Sequence, residues 1–337
     1  MSAWWGDVNA RARGLGTHLP PAGELRALAR AGSVPELWRS LGARGVVLQG
    51  SPAASAAEMD VGIRRWAASR LELLRRKLGP RRSAQARVVL EEEDRRAVRQ
   101  LLRGAVEGAA PPLRLAGVVP TARLPGRRLA ELARCATVAQ LAEGLARLEH
   151  PAAAVLAAER AGSVPDLFRL EAGLDRSYGA RALDGARRDP TLLRFVREQL
   201  DLQNAGSVLV LAGKASDAAP DETFLPGGER LGLEAFRRAA RGDRDRARSR
   251  LREAFTGSPF ADLFSGTATA GSFERRTLVL RIADWARRSV AEPLGPAPFL
   301  LFALRLRLCT RDLSLLTWGC ALGAPPSSRL ALAAGPP

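Results

Sequence analysis

The stretch "DLQN" places Asp201 and Asn204 three residues apart, on one face of a helix. A carboxylate and an amide at that spacing do little chemistry without a base or nucleophile beside them, and none is near in the sequence. Their stronger use is structural, as a cap or as hydrogen-bond partners of a neighbouring helix. Glu91, Glu92, Glu93 and Asp94 could supply a paired-carboxylate site of the glycosidase kind, but Arg95, Arg96 and Arg99 follow at the spacing of ordinary intrahelical ion pairs. "GSVLVLAGKA" (Gly206–Ala215) has the flavour of a phosphate-binding loop and the wrong arrangement. That loop needs four residues between its glycines and a Ser or Thr after the lysine; here six intervene and Ala215 follows Lys214. His18 and His150 are the only histidines, and no nucleophile-elbow glycines accompany them, so no Ser–His–Asp set can be assembled. Cys135, Cys309 and Cys320 lack CxxC spacing and read as reduced thiols of a cytosolic compartment. The sequence nominates no catalytic residue, no cofactor and no metal ligand.

The elements that hold these residues are helical. Ala and Leu carry most of the apolar weight and aromatics make up 5%, a balance that favours helices over strands. With 337 residues, 46% hydrophobic and 26% charged, the chain can bury a large core and form two or three modules. Ile63, Trp66, Ala67, Leu71, Leu74 and Leu78 lie on one stripe of a long helix, and Leu192, Leu193, Val196, Leu200 and Gln203 on another. Val208–Leu211 is the single strand-like run, too short and isolated for a sheet. These patterns predict an all-α fold. "MSAWWGDVNA" lacks the basic and apolar regions of a signal peptide, and the apolar run Pro298–Leu304 is cut by Arg305 and Arg307, so no membrane span is expected.

The net charge of +17 could mark a nucleic-acid or anionic-membrane footprint. Lys77 and Lys214 are the only lysines, however, so the basic charge is nearly all Arg, the pattern of GC-biased coding in an Ala-, Gly- and Pro-rich chain. The arginines are spread over most helices beside Glu or Asp, which favours solvated helix faces. "RRKLGPRR" (Arg75–Arg82) and "RRAARGDRDRARSRLR" (Arg237–Arg252) could grip phosphates. Asp243 and Asp245 weaken the second run, and no aromatics interleave for base stacking. Nucleic acid is not the expected partner.

A repeat organises the helices. Leu19-Pro20-Pro21, Leu124-Pro125-Gly126 and Leu225-Pro226-Gly227 recur at spacings of 105 and 101, each followed by a Leu/Ala-rich helical segment. Gly104, Gly213 and Gly319 close the copies at spacings of 109 and 106. This predicts three helical modules of roughly 105 residues, bounded at 1–115, 116–220 and 221–337. Capping residues mark where helices restart: Ser33 with Glu36, and Thr137 with Gln140, as capping boxes in equivalent places. "AGSVPDLF" (Ala161–Phe168) repeats the capping chemistry of "AGSVPELW" (Ala31–Trp38) at a different corner, with Ser163 as its cap. In the third copy Ser258, before Pro259, is the expected cap, arriving late after an Arg-rich insertion.

Taken together these stretches resemble the C-type subunits of bacterial and archaeal V/A-type ATPases (ATP synthases), the counterparts of the d-type subunit of vacuolar ATPases. "DVNARAR" (Asp7–Arg13) is similar to the family's Asn-Ala-Arg signature, here Asn9 and Arg11. "FRLEAGLDRSYGARAL" (Phe168–Leu183) resembles its Leu-Asp-x-x-Tyr segment through Leu174, Asp175 and Tyr178. "DLQN…AGK…FLPGG" resembles its Asp-x-x-Asn helix and Pro-Gly-Gly corner through Asp201, Asn204, Pro226, Gly227 and Gly228. "SPFADLF" and "RDLSLLTWGCALGAPP" follow in family order. The chain departs from the pattern at Ala97, where the first copy wants Asn, and at Cys309, Asp312 and Ser314 in the last. The resemblance implies three pseudo-symmetric helical modules arranged as a funnel around a central socket, without catalysis. It implies a central-stalk, rotor-side role on the cytoplasmic face of the membrane, in ATP synthesis or in proton or sodium ion transport. The implied partners are the rotor shaft subunits of the ATP-handling head and the membrane rotor ring, with membrane contact through the ring and no homo-oligomer. The alternative is a free-standing Arg-rich helical-repeat adaptor for nucleic acid or protein.

Overall fold

Helix follows helix because apolar residues recur at the helical period and each segment is stopped by Gly, Pro or a capping side chain. The computed structural model describes residues 5–46, 48, 55–158, 166–213, 220–265 and 270–334. Among these residues there is no strand, and the fold is all-α, as the sequence predicts. The helices are α1 (Gly6–Gly16), α2 (Ala22–Leu28), α3 (Val34–Gly42), α4 (Ala56–Gln85), α5 (Arg87–Leu90), α6 (Glu92–Val106), α7 (Pro111–Leu115), α8 (Gly126–Ala133) and α9 (Val138–Arg147). They continue as α10 (Ala152–Ala158), α11 (Leu167–Ala186), α12 (Pro190–Leu211), α13 (Leu233–Ala240), α14 (Arg244–Ala254), α15 (Ala270–Ala291), α16 (Ala297–Ala321) and α17 (Pro326–Ala334). The strand-like run Val208–Leu211 is the last turn of α12, in which Val208 is buried on the helix's apolar face and Val210 is exposed. α4 is broken at Gly79 (φ 66°, ψ 174°), whose backbone L side chains rarely adopt, just before Pro80.

The contacts divide the chain into two compact units: Met1–Gly79 with Gly117–Ala122 and Trp285–Pro337, and Pro80–Ala116 with Arg123–Asp284. In the first unit α1, α2, α3 and α17 pack on α16. Trp5 is fully buried with its ring 5.6 Å from that of Phe299, and Leu37, Leu41, Leu300, Leu313 and Leu316 are buried in the same unit. Each fully buried side chain of this size contributes about 1.5–3 kcal/mol of burial free energy. In the second unit an aromatic core joins Phe236, Phe255, Phe260, Phe264 and Phe273 to Leu202, Val208, Ala239 and Leu251.

One neighbourhood recurs three times inside these units. α16 packs on α2 and α3, α6 on α8 and α9, and α12 on α13 and α14. A short segment then joins each set: α17 on α2, α7 on α8, and the 3-10 turn Pro220–Glu222 on α13. Two of these joints share one chemistry. Arg114 and Arg329, each 5% exposed, run their stems across Gly104 and Gly319; a Cβ there would lie 2.4 Å and 2.7 Å from the respective Arg Cγ. Arg114 donates from Nη1 to the Cys135 carbonyl, and Arg329 from Nη1 to the Ala31 carbonyl at 2.6 Å. Both acceptors stand two residues before a helix N-cap, Thr137 or Ser33. The third joint instead uses the Arg237–Asp221 ion pair and a Gly213 N–H bond to the Gly242 carbonyl at 3.1 Å.

The caps fall as follows. Ser33 Oγ accepts from Glu36 N–H (3.3 Å) and Thr137 Oγ1 from Gln140 N–H (3.2 Å). The return bonds arrive one residue before the cap: Gly32 N–H donates to Glu36 (2.7 Å) and Ala136 N–H to Gln140 (2.8 Å). Ser163 lies outside the described residues; the side chain that caps α11 is Asp166. Ser258 is corrected: it caps no α-helix but stabilises a turn, donating to Phe255 O and accepting from Phe260 N–H, and a 3-10 helix follows at Ala261–Phe264. The Arg-rich stretch read as an insertion is itself the third capped helix, α14, with Asp243 accepting from Arg246 N–H at 2.8 Å. Its apolar anchors are just Ala247 and Leu251, too few to stand out among the arginines.

Replacing Arg114 or Arg329 by Met keeps the stem and removes the guanidinium with its bonds, to the Ala109 and Cys135 carbonyls for Arg114 and to the Ala31 carbonyl for Arg329. Urea unfolding should show a loss of about 1–3 kcal/mol for each, and Gly319→Ala should lose a similar amount by crowding the Arg329 stem.

Candidate functional site

α12 carries the "DLQN" pair on the face turned to the corner Leu225–Leu231. Asp201 (2% exposed) accepts three backbone N–H groups, from Glu229 (2.9 Å), Arg230 (3.0 Å) and Leu231 (3.1 Å). Asn204 (0% exposed) donates to the Leu225 carbonyl and accepts from the Leu225 N–H, both at 2.8 Å. The partner is therefore a chain corner rather than a neighbouring helix. Gly227 takes φ 100°, and a Cβ on it would meet Leu183 Cδ1 at 2.2 Å. A Cβ on Gly228 would meet Asp201 Oδ1 at 2.1 Å, so side chains are excluded where the corner meets its clamp. Pro226, exposed, opens the turn. Five of the sequence-nominated residues are thus one device.

Asp175 and Tyr178 form a second, where α11 faces α5 and α6. Tyr178 donates its hydroxyl to the Val88 carbonyl. Asp175 pairs with Arg95 (3.1 Å) and Arg99, and Arg95 lies over the Tyr178 ring at 5.0 Å. Burial opposes the charge on Arg95, but Glu92 and Asp175 outweigh it and hold the guanidinium above its ordinary range. Asn9, in the other unit, is a third device: its Nδ2 donates to the carbonyls of Pro293 (3.1 Å) and Gly295 (2.8 Å), fixing the approach to α16. Arg11 is exposed on α1 and belongs to none of these. The departures from the family pattern take simple forms: Ala97 is buried in α6, and Asp312 is buried beside Arg311 (3.3 Å).

Around Glu91, at the N-terminus of α6, three guanidinium groups gather: Arg87 (3.4 Å), Arg123 (3.3 Å) and Arg181. The adjoining His150 is buried, with Nδ1 accepting from Ala152 N–H at 3.2 Å. Burial, then the nearby Arg123 and Arg181 charges, press its pKa down to about 4 from 6.5. Composition could not flag His150, because a lone histidine gives no pattern. The joint arginines had a signal: Arg stands ten residues after glycine in both Gly104…Arg114 and Gly319…Arg329.

In these three devices the polar groups are committed to backbone atoms or to arginines, and none presents a nucleophile beside a base. Among the described residues no group of His, Cys, Asp and Glu could hold a metal ion, and no helix is long and apolar enough to cross a membrane. A profile of the ATP synthase (C/AC39) subunit family matches residues 8–328.

The chain belongs to that family.

As a C/AC39 subunit it is part of a V/A-type ATPase, a membrane-associated complex. No curated protein matches its sequence. The free-standing adaptor reading gains nothing from the match. The matched residues include all three clamps.

Asp201→Asn turns an acceptor into a donor against three N–H groups and should cost about 2–4 kcal/mol of stability, whereas Arg11→Ala should change it by less than about 0.5 kcal/mol. Denaturant titration of both variants checks this. His150 titrates near 6.5 when unfolded and about 4 when folded. As pH falls through 6.5 the unfolded chain takes up the proton first, so stability declines from pH 6.5 to about 4, by about 3 kcal/mol in all. His150→Asn should flatten that part of the stability–pH curve.

Proposed function

We propose that this chain is the non-catalytic central-stalk subunit of a rotary V/A-type ATPase, coupling the rotor shaft of the ATP-handling head to the ion-translocating membrane ring. The family match over residues 8–328 carries the reading. On this reading the chain works at the cytoplasmic face, touching the membrane through the ring, as a single copy and without nucleic acid.

The three modules, taken at 1–115, 116–220 and 221–337, form a funnel around a socket for the shaft tip. What supports this is the recurring helix neighbourhood. α6 of the first module packs on α8 and α9 of the second, α12 of the second on α13 and α14 of the third, and α16 of the third on α2 and α3 of the first. Each module in turn lends a helix to another in the same head-to-tail manner, the kind of contact that pseudo-symmetric modules use. A torque-bearing adaptor also needs stiffness. Here short capped corners and side-chain clamps supply it, because a corner whose backbone is bonded to a long helix cannot swing without breaking buried hydrogen bonds. The +17 surface suits an acidic shaft tip or nearby anionic headgroups.

Deleting the chain from its membranes tests the role. ATP hydrolysis by the head should persist while ATP-driven ion uptake falls to background, and adding the purified chain back should restore uptake. Uptake that survives the deletion contradicts the proposal, as does ATP hydrolysis by the purified chain alone.

A further inference from the structure

The joints built on Gly104…Arg114 and Gly319…Arg329 have more in common than an arginine. Both run as Gly-x-x-x-Gly-Ala, then a Pro-Pro pair, then Arg-Leu-Ala. Each ends its long helix in the same way. Gly108 and Gly323 take φ 66°, and the next N–H, of Ala109 or Ala324, reaches back 2.9 Å to the carbonyl of Gly104 or Gly319. That bond closes a helix-ending turn of defined shape. The short helix that follows, α7 or α17, is fastened by its buried arginine. The inner side of both turns is therefore held.

Their outer side is uncovered. Val106 and Leu113 are 36% and 64% exposed at the first turn, and Trp318 and Leu322 are 44% and 79% exposed at the second. The pairs Pro111 and Pro112, and Pro325 and Pro326, are exposed beside them. Charge is depleted here in a chain of net charge +17. Residues 104–117 expose one charged side chain, Glu107, and residues 318–330 expose none, since Arg114 and Arg329 are buried. A coding bias toward arginine would load these turns like the rest of the surface. Uncovered apolar side chains with few charges among them are the make-up of an interface core. An exposed Trp is a frequent energetic anchor in one. An acidic partner finds no exposed cation in either turn, so the complement is an uncharged apolar surface.

The same turn in two modules calls for the same surface twice. A single shaft has one tip to offer, whereas a ring of identical subunits repeats each of its surfaces. We propose that the turns at residues 106–113 and 318–326 are seats for the membrane ring, each taking the uncharged apolar end of one ring subunit. This rests on the coupling role and assigns its ring side to named residues.

The test uses the purified full-length chain and membranes that hold the ring but are stripped of head and shaft. Co-sedimentation of chain with membrane gives the affinity. Leu113→Asp and Leu322→Asp should each weaken binding about tenfold, and the double variant about a hundredfold. Val290→Asp, at an apolar position 80% exposed and outside both turns, should bind like the parent chain. Every replaced position is exposed, so circular dichroism and thermal unfolding should match the parent chain. If the parent chain binds and the double variant binds equally well, the seats are elsewhere and this proposal falls while the coupling role stands. If the parent chain does not bind these membranes, the coupling role falls and this proposal with it. Equal binding to protein-free vesicles of the same lipids would make the turns lipid contacts and overturn the proposal. So would variants that lose the shaft and keep the ring.

Discussion

A buried carboxylate that accepts three backbone N–H groups is the constraint on which the second unit turns. Asp201 reaches from the middle of α12 to Glu229, Arg230 and Leu231, in a corner that has no helix of its own to satisfy those donors. Helix interiors satisfy their own backbone groups, whereas corners must have theirs bonded by something else or left wet. Here corners and a short helix are bonded by side chains from neighbouring helices. Asn204 holds both backbone groups of Leu225, Tyr178 holds Val88, and Asn9 holds Pro293 and Gly295. A long helix of this chain is therefore a strut that also fixes the turn packed against it.

The joints of the recurring helix neighbourhood follow the same logic with the opposite charge. Arg114 and Arg329 bring donors to carbonyls that precede a helix start, and the glycine beneath each stem lets the guanidinium pass at close range. The third joint is built differently. It relies on a surface ion pair and one backbone bond, and the aromatic core of Phe236, Phe255 and Phe264 lies directly behind it. Packing has taken over there from hydrogen bonding. On the proposed coupling role, both solutions serve one requirement, that torque entering one module should not be absorbed by bending at a corner.

Much of this was legible before any coordinates. Helical periodicity and the Ala/Leu balance were enough for the all-α class, because no competing strand pattern exists along the chain. The caps Ser33 and Thr137 were readable because capping depends on three or four adjacent residues. Asp201 and Asn204 were read as able to cap or hydrogen-bond a neighbouring helix, but what they bond is a chain corner: spacing shows which residues share a face, not what packs against it. α14 was missed for a physical reason. Its burial is confined to Ala247 and Leu251, so its helical stripe is narrow and its arginines dominate the reading. The cluster of Arg95, Arg99, Glu91, His150 and Arg181 draws on segments up to 90 residues apart, and no local pattern announces such a meeting.

Amide hydrogen exchange at the corner Leu225–Leu231 tests the clamp most directly. The amides of Leu225, Glu229, Arg230 and Leu231 lie outside any α-helix, yet they should exchange as slowly as the buried amides of α12, since opening them requires breaking Asp201 and Asn204 away. Exchange at those four positions as fast as at ordinary exposed loop amides would contradict the account.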